Sequence, residues 1–104
     1  MEFLRIGTTK DIPPGGMNQF AIKGKELLVV NIDNQFYCLN ARCTHAGAPL
    51  AEGALNGDVL TCPWHHSRFR VTDGSVVNGP AKKPLGTYKL IVKDDQLFVD
   101  TRAV

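Results

Sequence analysis

In this 104-residue chain no window longer than ten residues carries an apolar stripe at 3.6-residue spacing. That constrains the fold more than any other feature, because a helix without such a stripe has no face to bury. What recurs instead is the short extended run bounded by turn residues. Glu2 to Ile6, Met17 to Ile22, Glu26 to Ile32, Gln35 to Asn40, Asp58 to Thr61 and Phe69 to Val71 are such runs. Asp11-Ile12-Pro13-Pro14-Gly15-Gly16 separates the first two, since paired prolines and glycines suit neither helix nor central strand. Lys23-Gly24-Lys25, Asp33-Asn34 and Thr72-Asp73-Gly74 supply further turns, and Asp33-Asn34 joins a hairpin. Near the end Tyr88, Leu90 and Val92 alternate with Lys89, Ile91 and Lys93, and Asp94-Asp95 then turns the chain into Gln96 to Val99. Many short strands at close spacing predict an all-β fold, an antiparallel sandwich or small barrel.

A chain of this length forms one domain, residues 1–104, with about 65% of its unfolded surface buried. Hydrophobic residues make up 43% and charged residues 21%, which suits a globular protein and not a disordered one. No apolar run approaches the roughly 20 residues of a membrane span. The opening Met1-Glu2-Phe3-Leu4-Arg5 lacks the basic-then-apolar layout of a secretion signal, so a soluble cytoplasmic protein is expected. Twelve Lys and Arg against ten Asp and Glu leave a formal charge of +2. Lys82-Lys83 and Arg68-x-Arg70 are too short for a nucleic-acid footprint and read as solvated faces.

Three cysteines do not make a disulfide framework, so each is a ligand, a reactive thiol or a small buried hydrophobe. Cys38, between Tyr37 and Leu39 in an apparent strand, reads as the last of these. The stretches Ala41 to Gly57 and Cys62 to Ser67 fit a β scaffold poorly and have the composition of functional loops. They contain Cys43-Thr44-His45 and Cys62-Pro63-Trp64-His65, so two cysteines and all three histidines fall within 24 positions. Each pair sets a thiolate and an imidazole on one tight turn, close enough to grip a small inorganic centre. Taken singly, the same residues are ordinary core cysteines and surface histidines; the repeated pairing favours the centre. No Ser-His-Asp set, paired carboxylates or phosphate-cradling glycine loop appears, and nothing reads as a substrate site.

The spacing Cys43-x-His45 and Cys62-x-x-His65 resembles the signature of Rieske-type [2Fe–2S] proteins. The resemblance extends over Cys43 to Leu50, Cys62 to His65, Arg68-Phe69, and Gly79-Pro80-Ala81 ahead of Pro84-Leu85. Length and turn pattern are similar to the small Rieske ferredoxins along the whole chain. The resemblance implies a Rieske-type iron–sulfur fold, with cluster-binding loops over about 41–85 set in a β scaffold. It implies one [2Fe–2S] cluster per chain, with Cys43 and Cys62 on one iron and His45 and His65 on the other. Two thiolates, two sulfides and two ferric ions sum to zero charge, so an added electron costs less than in a four-thiolate dianion.

Around the cluster the resemblance implies roles for four more residues. Ser67 donates a hydrogen bond to sulfur, Trp64 and Phe69 shield the cluster or finish the core, and Pro80 packs a third loop beside it. Pro49 and Pro63 are expected to fix loop geometry, and Gly47 and Gly53 to permit the turns. Higher-potential members carry a bracing disulfide where this chain has Ala48 and Trp64, and a hydrogen-bonding tyrosine where it has Phe69. That implies a potential toward the low end of about −150 to +300 mV. His66 stands where the family usually has glycine, and is expected to face solvent at a docking rim in a conformation that costs a side chain strain.

The implied function is that of a one-electron carrier and not of an enzyme by itself. It would take electrons from a flavin-containing NAD(P)H reductase and pass them to a terminal oxygenase by transient contact, with no nucleic-acid or membrane partner. A small Rieske subunit of a nitrite-reductase-like complex is the alternative, and a zinc module on the same four residues a third reading. Ferredoxins of this sort are often acidic, whereas this chain has a pI of about 8.5.

Overall fold

The computed structural model describes residues 3–44, 47–64, 66–79 and 81–100. Two-residue turns set its registers. Lys23-Gly24, Asp33-Asn34 and Asp94-Asp95 all have positive φ at both positions. This is the turn geometry whose twist matches flanking antiparallel strands, and it is one that Gly, Asn and Asp enter at low cost. They join β2 (Met17–Ile22) to β3 (Lys25–Ile32), β3 to β4 (Gln35–Asn40), and β10 (Leu90–Lys93) to β11 (Gln96–Asp100). With β1 (Phe3–Thr8) and β9 (Thr87–Tyr88), these strands form two antiparallel sheets, ordered β1-β11-β10 and β2-β3-β4-β9. A third sheet takes β5 (Ala54–Asn56), β6 (Val59–Thr61), β7 (Arg68–Arg70) and β8 (Val76–Asn78) in chain order. The expected all-β, antiparallel architecture is therefore present. Short 3₁₀ turns at Thr9–Asp11 and Leu50–Glu52 are the helical elements among the described residues.

β3 is buried on both faces, and this divides the interior. Leu28 and Val30 point into one core with Leu39, Leu50, Leu60, Phe69, Cys43 and Cys62. Leu27 and Val29 point into the other with Ile12, Ile22, Cys38, Leu97 and Val99. The unbroken run Leu27-Leu28-Val29-Val30 is what a strand covered on both sides needs. Buried Asn31 ties the sheet to the preceding loop: its Nδ2 donates to Ile12 O at 2.7 Å, and its Oδ1 accepts from Asn34 N at 2.8 Å.

Two expectations need correction, one strand is added and the role of one glycine is explained. The stretch Ala41 to Gly57 is not all loop, because Ala54–Asn56 pairs with Val59–Thr61. Val76–Asn78, unassigned from sequence, pairs with β7. The alternation from Tyr88 to Val92 is not one strand: Tyr88 pairs with Cys38 in the second sheet, and Leu90 with Val99 in the first. A chain that changes sheet at a corner turns a different face inward after it, which leaves Val92 half exposed. Gly53 does permit its turn, but through close approach and not a left-handed φ: a Cβ there would sit 2.1 Å from Thr61 O.

That contrast sets a test. Gly53→Ala is expected to cost about 3 kcal/mol or more in a denaturant melt, because the obstructing atom is backbone. Gly24→Ala, with φ +78° and open space around it, is expected to cost only about 1–2 kcal/mol.

Candidate metal centre

The centre is built from three loops at one end of the sheets, each closed by backbone bonds. In the first, Cys43 N–H donates to Ala48 O at 2.9 Å and Gly47 N–H donates to Cys43 O at 2.9 Å. Gly47, at φ +74°, takes the left-handed step that brings the chain back. Below it Arg42 bridges Pro49 and Leu50 N–H donates to Ala41 O, so a two-stranded stem carries the loop. In the second, Cys62 N–H donates to Ser67 O at 2.7 Å, closing residues 62–67 between β6 and β7.

A third stretch, 81–85, ties the first two together. Ala81 N–H donates to the buried Ser67 Oγ at 3.0 Å, and Thr44 Oγ1 donates to Lys83 O at 2.7 Å. Leu85 N–H then donates to Gly74 O. Ser67 thus secures its own loop through its carbonyl and the third loop through its hydroxyl oxygen, and its hydroxyl hydrogen remains for another acceptor.

Cys43 and Cys62 are free thiols, 4% and 1% exposed, in the same core. Cys38 lies in the other core, across β3 and β4 from both. The structure therefore separates the three cysteines as expected, two at the loops and one in packing. Burial pushes the Cys38 thiol up to about 12. The same apolar surroundings, with Cys38 as neighbour, raise the phenol of Tyr88, whose hydroxyl donates to Asn40 Oδ1 at 2.6 Å. His45, His65 and Pro80 lie outside the described residues. Among the described residues no three His, Cys, Asp or Glu side chains gather as a metal site. What is described is the sulfur half. Two free, buried thiols at the inner ends of two linked loops fit a soft iron or zinc donor set.

The neighbours divide. Phe69 is fully buried under the loops, as expected, but Trp64 is 56% exposed and does not finish the core. His66 is exposed with φ +62°, the left-handed conformation expected of a residue standing in for glycine. Ala48, fully buried, fills the position where a bracing cysteine was expected to be missing.

Sequence reading missed the support behind the first loop. Arg42 donates through Nε and Nη2 to Glu26 at 3.1 Å each, and through Nη1 to Gly47 O at 3.2 Å. Gln19 Nε2 also donates to Glu26. The Arg42 hydrogen bond holds the Glu26 carboxyl below its ordinary value. Nothing local marks this clamp, because its members are sixteen residues apart.

Comparison with known proteins adds findings of three kinds. The family model of the Rieske [2Fe-2S] domain matches residues 2–89. The chain is 34% identical over 98 residues to ferredoxin CarAc of Metapseudomonas resinovorans, covering 93% of this chain and 92% of that one. It is 33% identical over 100 residues to the ferredoxin component of biphenyl 2,3-dioxygenase of Rhodococcus jostii, covering 96% and 94%. Among solved structures, it superposes with a TM-score of 0.90 on the ferredoxin of carbazole 1,9a-dioxygenase from Nocardioides aromaticivorans, at 28% identity over 95% of this chain and 97% of that one. It superposes with a TM-score of 0.88 on a chain in the complex of reduced oxygenase and oxidized ferredoxin of carbazole 1,9a-dioxygenase, at 35% identity over 93% and 91%.

The placement of Cys38 makes a prediction of its own. At pH 8 a thiol reagent is expected to leave Cys38 unmodified in the folded protein and to label it on unfolding. Because its folded pKa is raised from an ordinary 9.0 to about 12, its stabilising contribution is complete below pH 9 and is lost as pH rises toward 12. Melts above pH 9 are thus expected to fall more steeply for the native chain than for Cys38→Val.

Proposed function

The chain belongs to the Rieske [2Fe-2S] family, and from that membership we propose that it is the ferredoxin component of a multicomponent oxygenase. In this role it takes electrons one at a time from a flavin-containing NAD(P)H reductase and delivers them to a terminal oxygenase. The observation that carries the reading is full-length likeness to ferredoxin components of dioxygenase systems. It is supported by two free, buried thiols at the bases of two linked loops. Residues 1–104 act as one domain, with the centre on loops within about 41–85.

Cys43 and Cys62 would hold one iron of the family's [2Fe–2S] cluster and His45 and His65 the other, where the cluster supplies reversible uptake and release of one electron. The chain's own contribution is support. Ser67 offers its remaining hydroxyl hydrogen toward the sulfur side of the site, while Leu60 and Phe69 exclude water beneath it. The linked loops are expected to move little between redox states, since Cys43, Gly47 and Cys62 N–H are paired within the loops, Ala81 N–H is held by Ser67 Oγ and the Thr44 hydroxyl donates to Lys83 O. Among the described residues no helix is long and apolar enough to cross a membrane, and we place the chain with its reductase in the cytoplasm.

After anaerobic reconstitution the protein is expected to be red-brown, with two irons and two acid-labile sulfides per chain. A colourless zinc-loaded product would overturn the proposal. Cys43→Ser and Cys62→Ser are each expected to abolish loading, and Cys38→Ala to leave it intact. A redox titration is expected to place the midpoint toward the low end of the range of about −150 to +300 mV; a value near the top would refute the tuning assigned to Ala48, Trp64 and Phe69.

Ser67→Ala separates support from tuning. It strands the buried Ala81 N–H and is expected to cost about 1–3 kcal/mol. It is also expected to lower the midpoint potential, whereas a purely structural Ser67 would leave the potential unmoved.

A further inference from the structure

The charges of this chain are sorted between its two ends. From Val59 to Lys89 the sequence holds five basic residues (Arg68, Arg70, Lys82, Lys83 and Lys89) and one acidic residue, Asp73. Arg70 is offset by Asp58 at 3.6 Å. Arg68, Lys82 and Lys83 are exposed and have no ion-pair partner among the described residues. The backbone of Lys82 and Lys83 is held between two points, Ala81 N–H on Ser67 Oγ and Lys83 O on Thr44 Oγ1. Both ammonium groups are therefore carried on a segment fixed directly to the two cysteine loops. The Cys62–Ser67 loop, to which that segment is fixed through Ser67, carries the half-exposed Trp64.

Four exposed carboxylates, Asp11, Asp33, Asp94 and Asp95, gather at the other end beside Lys10 and Lys93, while Glu52 stays exposed next to the first cysteine loop. Asp33 lies in the turn at the start of β4, and the first cysteine loop follows its last residue, Asn40. Six extended residues separate the two by about 20 Å. Asp94 and Asp95 lie beside the Asp33 turn, because Thr9 N–H donates to Asp95 O and Asp95 shares a cavity wall with Asn31 and Asn34. Asp11 belongs to the same end, on the 3₁₀ turn that begins at Thr9. All four carboxylates are exposed. Charge arranged this way makes the field at the cysteine-loop end more positive than at the turn end, although the net charge is only +2.

We propose that Arg68, Lys82 and Lys83 form a cationic docking rim around Trp64, which receives a carboxylate-bearing face of the protein that accepts the electron. The rim rests on the electron-carrier reading above. It steers that acceptor onto the cysteine-loop end, while Trp64 supplies the apolar anchor that long-range charge does not. An acceptor whose docking face is basic is excluded.

Oxidation of the reduced holoprotein by two small probes of opposite charge tests this. Each ferricyanide trianion takes one electron from one reduced chain and becomes ferrocyanide, with no bond or proton exchanged; tris(phenanthroline)cobalt(III), a trication, does the same. Stopped-flow rates are expected to fall with ionic strength for ferricyanide and to rise for the cobalt complex. Lys82→Glu with Lys83→Glu is expected to slow ferricyanide about tenfold at low salt. Lys10→Glu with Lys93→Glu, an equal change in net charge at the acidic end, is expected to change it less than twofold. Equal effects of the two pairs, or the absence of a salt slope, would overturn the rim.

A second measurement needs no electron transfer. Titration with poly-L-glutamate, read by the fluorescence of Trp64, is expected to show binding that Lys82→Glu with Lys83→Glu abolishes and Lys10→Glu with Lys93→Glu keeps. Binding that survives the first pair overturns the proposal. A chain that binds the polymer at the rim but takes up no iron and sulfide would instead overturn the carrier reading.

Discussion

The structure depends on one strand being covered on both sides. β3 places Leu28 and Val30 in one core and Leu27 and Val29 in the other, and each fully buried aliphatic side chain is worth about 1.5–3 kcal/mol. Sheets on either side of it cannot slide without exposing one of these pairs. Because the register is locked, β4 ends at Asn40 with Cys38 facing one core, and the chain delivers Cys43 into the other. The separation of a packing cysteine from the two loop cysteines follows from strand alternation, not from any chemical difference among the thiols.

The loops need more than that register, and a few long-range polar contacts provide it. Ser67 joins the second loop to the third, Thr44 joins the first to the third, and Arg42 ties the first loop's stem to Glu26 on the central sheet. The Arg42–Glu26 pair is half exposed, at 51% and 38% of side-chain surface, so its value is orientation more than stability. Ser67 differs because it is fully buried, where an unmet N–H costs its full desolvation. The function proposed here asks for a site that holds its shape while charge comes and goes, and a scaffold paired in this way supplies that stiffness.

The second of these loops carries the most exposed large hydrophobic side chain among the described residues. Trp64 and His66 flank His65 in sequence, one with an open indole and the other in a left-handed backbone. Strain in a non-glycine residue persists where surrounding structure over-determines it, and here the Cys62–Ser67 closure does so. With Lys82 and Lys83 pinned alongside, rigidity, apolar exposure and positive charge meet at one end of the molecule. The opposite end holds its carboxylates on tight turns.

Features whose cause lies within a few residues were legible before any coordinates. The turns at Lys23-Gly24, Asp33-Asn34 and Asp94-Asp95, the strands they join and the burial of Cys38 all follow from local preference and alternation. So does the grouping of two thiols and two imidazoles on two short segments, which set the family resemblance. Other features have causes far along the chain. Ala54–Asn56 and Val76–Asn78 are strands only because a partner lies beside them, since three residues have too little intrinsic preference to extend alone. The sheet change at Lys89, the exposure of Trp64, the Arg42 clamp and the pinning of Lys82 and Lys83 likewise depend on surfaces that meet only when the chain is folded. Residue order sets the chemistry available to each loop, while long-range packing sets which loops touch and which charges face outward, because steric fit and desolvation act between segments that sequence alone does not bring together.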